Sequence, residues 1–250
     1  MDMQKIHELA DMIKNSRSTV FFGGAGVSTE SGVKDYRSED GLYNTVKQYG
    51  VPPETILSHS FFNAHPDVFY DFYYKYFLCS DAKPNPAHAV LAALERRGMM
   101  DAVITQNIDG LHQAAGSKNV YELHGTVYSY HCPKCGAEFP LEDVKAEKGS
   151  IPHCKKCGGN IKPDVVLYEE PLNDDTVTGA IRAIAGADLM MIGGTSLAVY
   201  PAAGLLRYFR GRNIVLINRD ETAYDDRADL ILRDKIGEVM SAVLNVIDII

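Results

Sequence analysis

Hydrophobic positions along the chain fall into two rhythms. Short apolar or β-branched runs read as strands buried on both faces: TVFFGG (19–24), DAVITQN (101–107), NVYELHG (119–125), ADLMMIGG (187–194), NIVLIN (213–218) and ADLILRD (228–234). Elsewhere the spacing is helical. Ile6, Leu9, Ala10 and Ile13 share one face, and Ile236, Val239, Met240 and Val243 share another near the C-terminal end. Val90, Leu91 and Leu94 follow an Asn85-Pro86 start and precede a Gly98 stop. The alternation predicts an α/β fold: a Rossmann-like, doubly wound parallel sheet.

Two stretches break the alternation. Residues 41–84 are helical and aromatic, with HPDVFYDFYYKYF at their centre, and residues 129–162 hold cysteines, glycines and lysines. Both are expected to leave the sheet and form a smaller lobe, one part a helical insertion and the other a zinc-binding insertion. Residues 1–40, 85–128 and 163–250 then make the nucleotide-binding domain.

Composition sharpens this picture. With 250 residues and 46% hydrophobic content the chain can bury a sizeable core. No apolar run reaches the ~18 residues of a membrane span, and MDMQKIHELADMIKNS is amphipathic where a secretory signal would be continuously apolar. The expectation is a cytoplasmic protein with no membrane partner. A net charge of −8 offers no electrostatic footprint for nucleic acid.

Four of the five cysteines form two Cys-x-x-Cys knuckles, Cys132 with Cys135 and Cys154 with Cys157, separated by 18 residues. That spacing suits a four-thiolate zinc ribbon, whose closed tetrahedron leaves no position for substrate, so the zinc is structural. His131 and His153 lie beside the knuckles as competing ligands, and Cys79 stands apart as a buried or half-buried thiol.

In open α/β sheets ligands bind beyond the carboxyl ends of the strands. Those ends read Gly23-Gly24-Ala25-Gly26, Gln106-Asn107-Ile108-Asp109, His124-Gly125, Gly193-Gly194-Thr195-Ser196 and Asn218. The first opens like a dinucleotide-binding turn, yet Thr29 stands where a third glycine belongs and the chain runs on into Lys34, Asp35, Tyr36 and Arg37. Glycine amides with the Thr195 and Ser196 hydroxyls suit a pyrophosphate and its riboses, and Asn218 suits ribose hydroxyls. Asp109 suits a carboxamide NH₂ as acceptor and also the cap of a short helix over residues 110–115, and the two readings are compatible. His124, alone a packed core histidine, reads as a general base beside Asn107 and Asp109. His88 and His112 sit in helical patterns and are assigned to structure.

In order, GGAGVSTESGV, TQNIDGLHQAAG, ELHG, the two knuckles, KPDVVLYEE, GGTSLAVYPAA and LIN cover almost the whole chain. This ordered set resembles the sirtuins, NAD-dependent protein lysine deacylases. The resemblance implies that NAD is consumed, which explains the broken glycine motif: the segment after the glycines becomes a cover over the nicotinamide ribose. It assigns Ala25 and Thr29 to the phosphate and ribose region, Tyr36 to the nicotinamide face and Arg37 to anchoring the cover. Gln106 and Asn107 go to the nicotinamide ribose, Ile108 and Asp109 to the carboxamide. His124 is the general base that takes a proton from a ribose hydroxyl, with Asn107 beside it. An acyl-lysine peptide adds as a strand between VVLYEE (165–170) and SLAVYPAA (196–203), Val166 accepting the acyl-lysine N–H and Tyr168 and Val199 flanking it.

Three departures from the family pattern stand out. GVKDYRS places Lys34, Tyr36 and Ser38 where relatives carry proline, phenylalanine and glycine. Glu169 replaces a glycine, either lending acidity to the peptide entry or pointing into solvent. The Tyr-x-x-Arg pair of desuccinylating members becomes Tyr73 with Tyr76, Lys75 projecting elsewhere, so an uncharged acyl group is expected. Against the deacylase stand protein ADP-ribosyl transfer by the same site, a zinc-ribbon nucleic-acid binder, and an NAD(P) oxidoreductase, which leaves QNID and the zinc module without a role.

Overall fold

The computed structural model describes residues 1–34, 46–78 and 81–249, with Val46, Lys47 and Ile249 described by backbone only. In chain order come α1 (Met3–Asn15), β1 (Thr19–Gly23), α2 (Val46–Tyr49), α3 (Pro53–Ile56), α4 (His59–Ala64), α5 (Pro66–Tyr76), α6 (Pro86–Arg96) and β2 (Ala102–Thr105). There follow α7 (Leu111–Ala114), β3 (Val120–Glu122), β4 (Gly125–His131), β5 (Glu138–Pro140), α8 (Leu141–Ala146) and β6 (Lys162–Val165). The chain closes with α9 (Asp174–Gly186), β7 (Leu189–Gly193), β8 (Asn213–Ile217), β9 (Leu230–Leu232) and α10 (Ile236–Ile249).

All six expected runs enter one sheet, ordered β3-β2-β1-β7-β8-β9, and every pairing in it is parallel. The order reverses between β1 and β7, where Gly23 lies in register with Gly193, and crevices for ligands form at such a reversal. Successive residues of each strand feed opposite cores, which is why the runs are continuously apolar. Phe21, Val103, Met191, Val215 and Ile217 pack against α1, α6 and α10. Val20, Phe22, Ile104, Met190, Ile192 and Leu216 pack against α9 and a 3₁₀ segment over Ala202–Tyr208.

A third core belongs to the smaller lobe. Phe69, Tyr70, Phe72, Tyr73 and Tyr74 of α5 pack with Tyr130, Val144, Cys132 and Cys154, and Phe69 stacks on Tyr73 at 5.7 Å between ring centres. Under this core a second, antiparallel sheet runs β5-β4-β6. The divisions expected at residues 128/129 and 162/163 fall inside β4 and β6, so the two lobes share strands. Gly125 starts β4 at φ 75°, and a side chain there would run into the Asp164 carbonyl. No helix among the described residues is long and apolar enough to cross a membrane.

A candidate nucleotide site and a four-cysteine cluster

At the switch point two glycine turns interlock. The Gly26 N–H donates to the Gly194 carbonyl at 2.8 Å and the Gly24 N–H to that of Gly193 at 3.3 Å. Gly194 has φ 59°, and a Cβ on Gly26 would stand 2.8 Å from the Gly194 Cα. Side chains are therefore sterically shut out, and bare backbone faces the crevice, as a close-lying pyrophosphate requires. Around this cradle Thr29 Oγ1 donates to the Gly26 carbonyl at 3.0 Å, Gln106 Nε2 donates to Thr195 Oγ1 at 3.1 Å, and the Thr195 N–H donates to Asn218 Oδ1 at 3.1 Å. Ala25 opens the 3₁₀ turn that follows the first glycine, and Ser196 lies exposed at the rim.

Behind the rim lies a buried polar cluster. Asn107 donates from Nδ2 to Ser28 Oγ at 3.0 Å, and the Ser28 hydroxyl donates to Asp109 Oδ2 at 2.6 Å. Asp109 Oδ1 accepts from the Leu111 N–H at 3.0 Å, so the carboxylate braces α7 and joins the cluster at once. The Asn85 N–H donates to His88 Nδ1 at 3.2 Å, which leaves the neutral ring's proton on Nε2, 3.5 Å from Ser28 Oγ. Ser28 is fully buried and hinges the cluster. In the sequence it stands inside GGAGVSTESGV, two residues after Gly26, with no role of its own assigned.

Burial lowers His88 to about 4 and His112 to about 3, the second further depressed by its neighbour; their rings stand 4.7 Å apart. Unfolded histidines take up protons below about 6.5, and the folded pair resists, so stability falls as pH drops from 6.5 towards 4. Both His112 ring nitrogens are buried without a hydrogen-bond partner, so His112→Phe is expected to fold and to flatten this dependence. Urea denaturation at pH 7.5 and 5.0 checks it; equal pH dependence in the two proteins counts against the pair.

His124 lies two residues past the end of β3. Its Nδ1 lies 2.9 Å from the Gln106 carbonyl oxygen, and because a carbonyl only accepts, Nδ1 carries the proton and Nε2 is the bare, basic nitrogen. Burial draws its pKa below the ordinary histidine value, opposed by the Gln106 hydrogen bond. Two residues earlier, Glu122 is pushed up to about 7, chiefly by burial. Ile108 accepts from the Val127 N–H at 3.1 Å and ties this rim to β4.

The cysteines converge in the other lobe. The Sγ atoms of Cys132, Cys135, Cys154 and Cys157 all lie within 4.8 Å of one another, with Cys132 to Cys157 at 3.4 Å and Cys135 to Cys154 at 3.6 Å. A tetrahedral ion with Zn–S bonds of about 2.3 Å needs sulfur separations of about 3.8 Å, so the four thiols fit zinc. His131 pairs instead with Asp164, Nδ1 to Oδ1 at 2.5 Å, and neither it nor His153 joins the cluster.

The Sir2 family model matches residues 24–201. The chain belongs to the Sir2 family. It is 54% identical to the NAD-dependent protein deacetylase of Clostridium acetobutylicum over 97% of this chain and 99% of that one. It is 53% identical to the protein of the same description from Clostridium perfringens, covering 96% and 99%. Among solved structures, Sir2 with a p53 peptide and NAD+ superposes with a TM-score of 0.88 at 39% identity, covering all of both chains. Sir2 bound to acetylated peptide gives 0.86 at 38%, covering 98% of each.

In this Sir2-family chain the segment after β6 departs from the expected strand. Regular pairing stops at Val165, and Tyr168 makes a single parallel bridge to Ser58. The Val166 N–H donates to the His124 carbonyl at 2.9 Å, the Leu167 N–H to Glu170 Oε2 at 2.9 Å, and the Tyr168 N–H to the Leu57 carbonyl at 2.9 Å. None of the described residues donates to the Val166 carbonyl. Val199 is half-buried, and Tyr168 and Tyr200 are exposed. Glu169 is exposed, as one of the two readings expects, but its carboxylate is engaged: it accepts from the Ser60 N–H at 2.8 Å and the Ser60 hydroxyl at 2.9 Å. Tyr73 is buried in the aromatic core with its hydroxyl 3.3 Å from that of Tyr130, and Lys75 turns aside to donate to Gln48 Oε1 at 2.6 Å. Lys34 is exposed, while Tyr36, Arg37, Ser38 and Cys79 lie outside the described residues.

Proposed function

We infer that this chain is an NAD-dependent protein lysine deacylase acting on acetyl or other uncharged acyl-lysines. The observation that carries the reading is His124, its tautomer set by the Gln106 carbonyl, on the same rim as the interlocked glycine turns and the Asn107–Ser28–Asp109 cluster. Relatives described as NAD-dependent protein deacetylases at 54% and 53% identity support it, as does the structure of Sir2 with a p53 peptide and NAD+.

When bound, NAD supplies a glycosidic bond whose cleavage frees nicotinamide and leaves a ribose to carry away the acyl group. Bare backbone at Gly24, Gly26 and Gly194 would let the diphosphate approach closely. Because the N–H groups of Gly24, Gly26, Gly194 and Thr195 are spent on the Gly193, Gly194 and Ile217 carbonyls and on Asn218, the Ala25 N–H and the Thr195 hydroxyl would donate to it, with Ser196, Thr29, Gln106 and Asn218 around the riboses. Asn107, Ile108 and Asp109 would orient the nicotinamide end; the family resemblance gives the cover to Tyr36 and Arg37, which lie outside the described residues. His124 accepts a ribose hydroxyl proton at Nε2. The peptide lies between residues 165–170 and 196–203, its acyl-lysine N–H donated to the Val166 carbonyl, with Tyr168 and Val199 alongside.

Zinc held by Cys132, Cys135, Cys154 and Cys157 leaves no open position and supplies structure alone. Four thiols gathered without a disulfide suit a reducing compartment, which supports a cytoplasmic placement. An uncharged acyl group follows from the lack of a guanidinium on α5, whose one basic residue, Lys75, is engaged by Gln48.

The test is mass spectrometry of an acetyl-lysine peptide with and without NAD. Matched, NAD-dependent appearance of free-lysine peptide, nicotinamide and acetyl-ADP-ribose is expected. NAD cleavage that leaves the peptide acetylated and labels protein with ADP-ribose would replace deacylation by ADP-ribosyl transfer.

A further inference from the structure

The peptide-receiving segment is tied along its back to the helical insertion. Tyr168 exchanges both main-chain hydrogen bonds there, donating to the Leu57 carbonyl at 2.9 Å and accepting from the His59 N–H at 3.0 Å. Glu170 adds an ion pair to the buried Lys162 at 3.0 Å and a contact to His59 Nδ1 at 2.8 Å. Between them stands Glu169, at φ 76°. A side chain in the left-handed region is strained, and no local hydrogen bond of the Asn or Asp kind relieves it in glutamate. Such a residue persists where its surroundings over-determine it. Here the surroundings are Ser60, near the start of α4, whose N–H and hydroxyl both donate to the Glu169 carboxylate at 2.8 and 2.9 Å.

We propose that Glu169 is a positioning residue for peptide binding, its clamp on Ser60 holding residues 166–168 in the conformation that presents the Val166 carbonyl to the acyl-lysine main chain. The proposal rests on the deacylase reading above. Both bonds are made to a charged acceptor, so they are stronger than neutral ones. They bridge 109 positions of sequence, from Ser60 to Glu169, and join the segment to an element outside the main sheet. A segment ordered before the peptide arrives loses less entropy on binding. The clamp is made to the helical insertion, and none of the residues assigned to NAD takes part in it, so it acts on peptide affinity and leaves the chemistry alone.

Glu169→Gly separates the clamp from the strain, because glycine adopts φ 76° freely and makes no bond to Ser60. Four proteins suffice: wild type, Glu169→Gly, Ser60→Ala and the double variant. Anisotropy of a fluorescein-labelled acetyl-lysine peptide with neutral flanks gives Kd without turnover, and steady-state kinetics give kcat and both KM values. Expected are an about fivefold rise in peptide Kd and KM in Glu169→Gly and about twofold in Ser60→Ala. The double variant should match Glu169→Gly, with kcat, NAD KM and melting temperature near wild type.

Equal Kd across the four proteins overturns the clamp and leaves the deacylase reading standing. Additive effects, or a loss confined to peptides with basic flanks, also overturn it, the latter in favour of direct charge recognition. Wild type that binds the peptide yet leaves it acetylated with NAD overturns the deacylase reading, while the measured affinities still decide the clamp.

Discussion

His124→Ala is expected to lower kcat/KM for NAD-dependent deacylation by about 10³-fold or more, the upper part of the range for losing a general base. The fold should survive. The side chain is half-buried near a strand end, and its one hydrogen bond among the described residues goes to a main-chain carbonyl, so truncation leaves an acceptor at an open rim and no buried charge. The melting temperature should therefore move little, which separates lost chemistry from lost structure. The pH profile adds a second check. Because burial pulls His124 below its ordinary value, the basic, neutral ring persists as pH falls past 6.5, and the acid limb of kcat/KM should lie below that point. A limb at or above 6.5, or turnover retained in His124→Ala, would remove the residue from the base role.

How much of this was legible beforehand depends on the range of the interactions involved. The main sheet was, because each strand is buried on both faces and writes that burial into a continuous apolar run such as Leu189–Gly193. The zinc module was too, since two ligands of each pair come from one local turn. The smaller sheet was not: β4 has mixed burial and no continuous apolar run, β5 has three residues, and β6 includes Pro163, a residue that argues against a strand when read alone. Ser28 is part of the GGAGVSTESGV motif, but its hinge role is not legible there, because a serine in a glycine-rich turn has an ordinary local explanation. Its partners, Asn107 and Asp109, stand 79 and 81 positions away. Glu169 shows the same limit from the other side. Its departure from the family was visible, but the reason for it, Ser60, lies in an element whose contact with it only folding creates.

Loss of the metal should be the largest structural perturbation available in this chain. Cys132 and Cys154 are buried members of the aromatic core that also holds Tyr70, Tyr73 and Tyr130, so the ion and the core stabilise one another. Without zinc, four sulfurs within 4.8 Å of one another lose the bonds that gather them. Binding free energy at such a site is folding free energy. Cys132→Ala, or a strong chelator, is expected to reduce bound zinc from one ion per chain to none and to destabilise the smaller lobe by on the order of 5 kcal/mol. The main sheet has its own two cores, so unfolding should separate into two steps. The chain has no tryptophan and 14 tyrosines, and the α5 tyrosines make near-ultraviolet circular dichroism a local probe. Its signal should collapse at a lower temperature than the far-ultraviolet signal of the sheet. Peptide affinity should fall with it, because Tyr168 is bridged to Ser58 of that lobe. NAD binding at the glycine turns should be spared more. A single, unshifted transition in metal-free protein would mean that the aromatic core holds the lobe unaided and that the four cysteines do not contribute to stability.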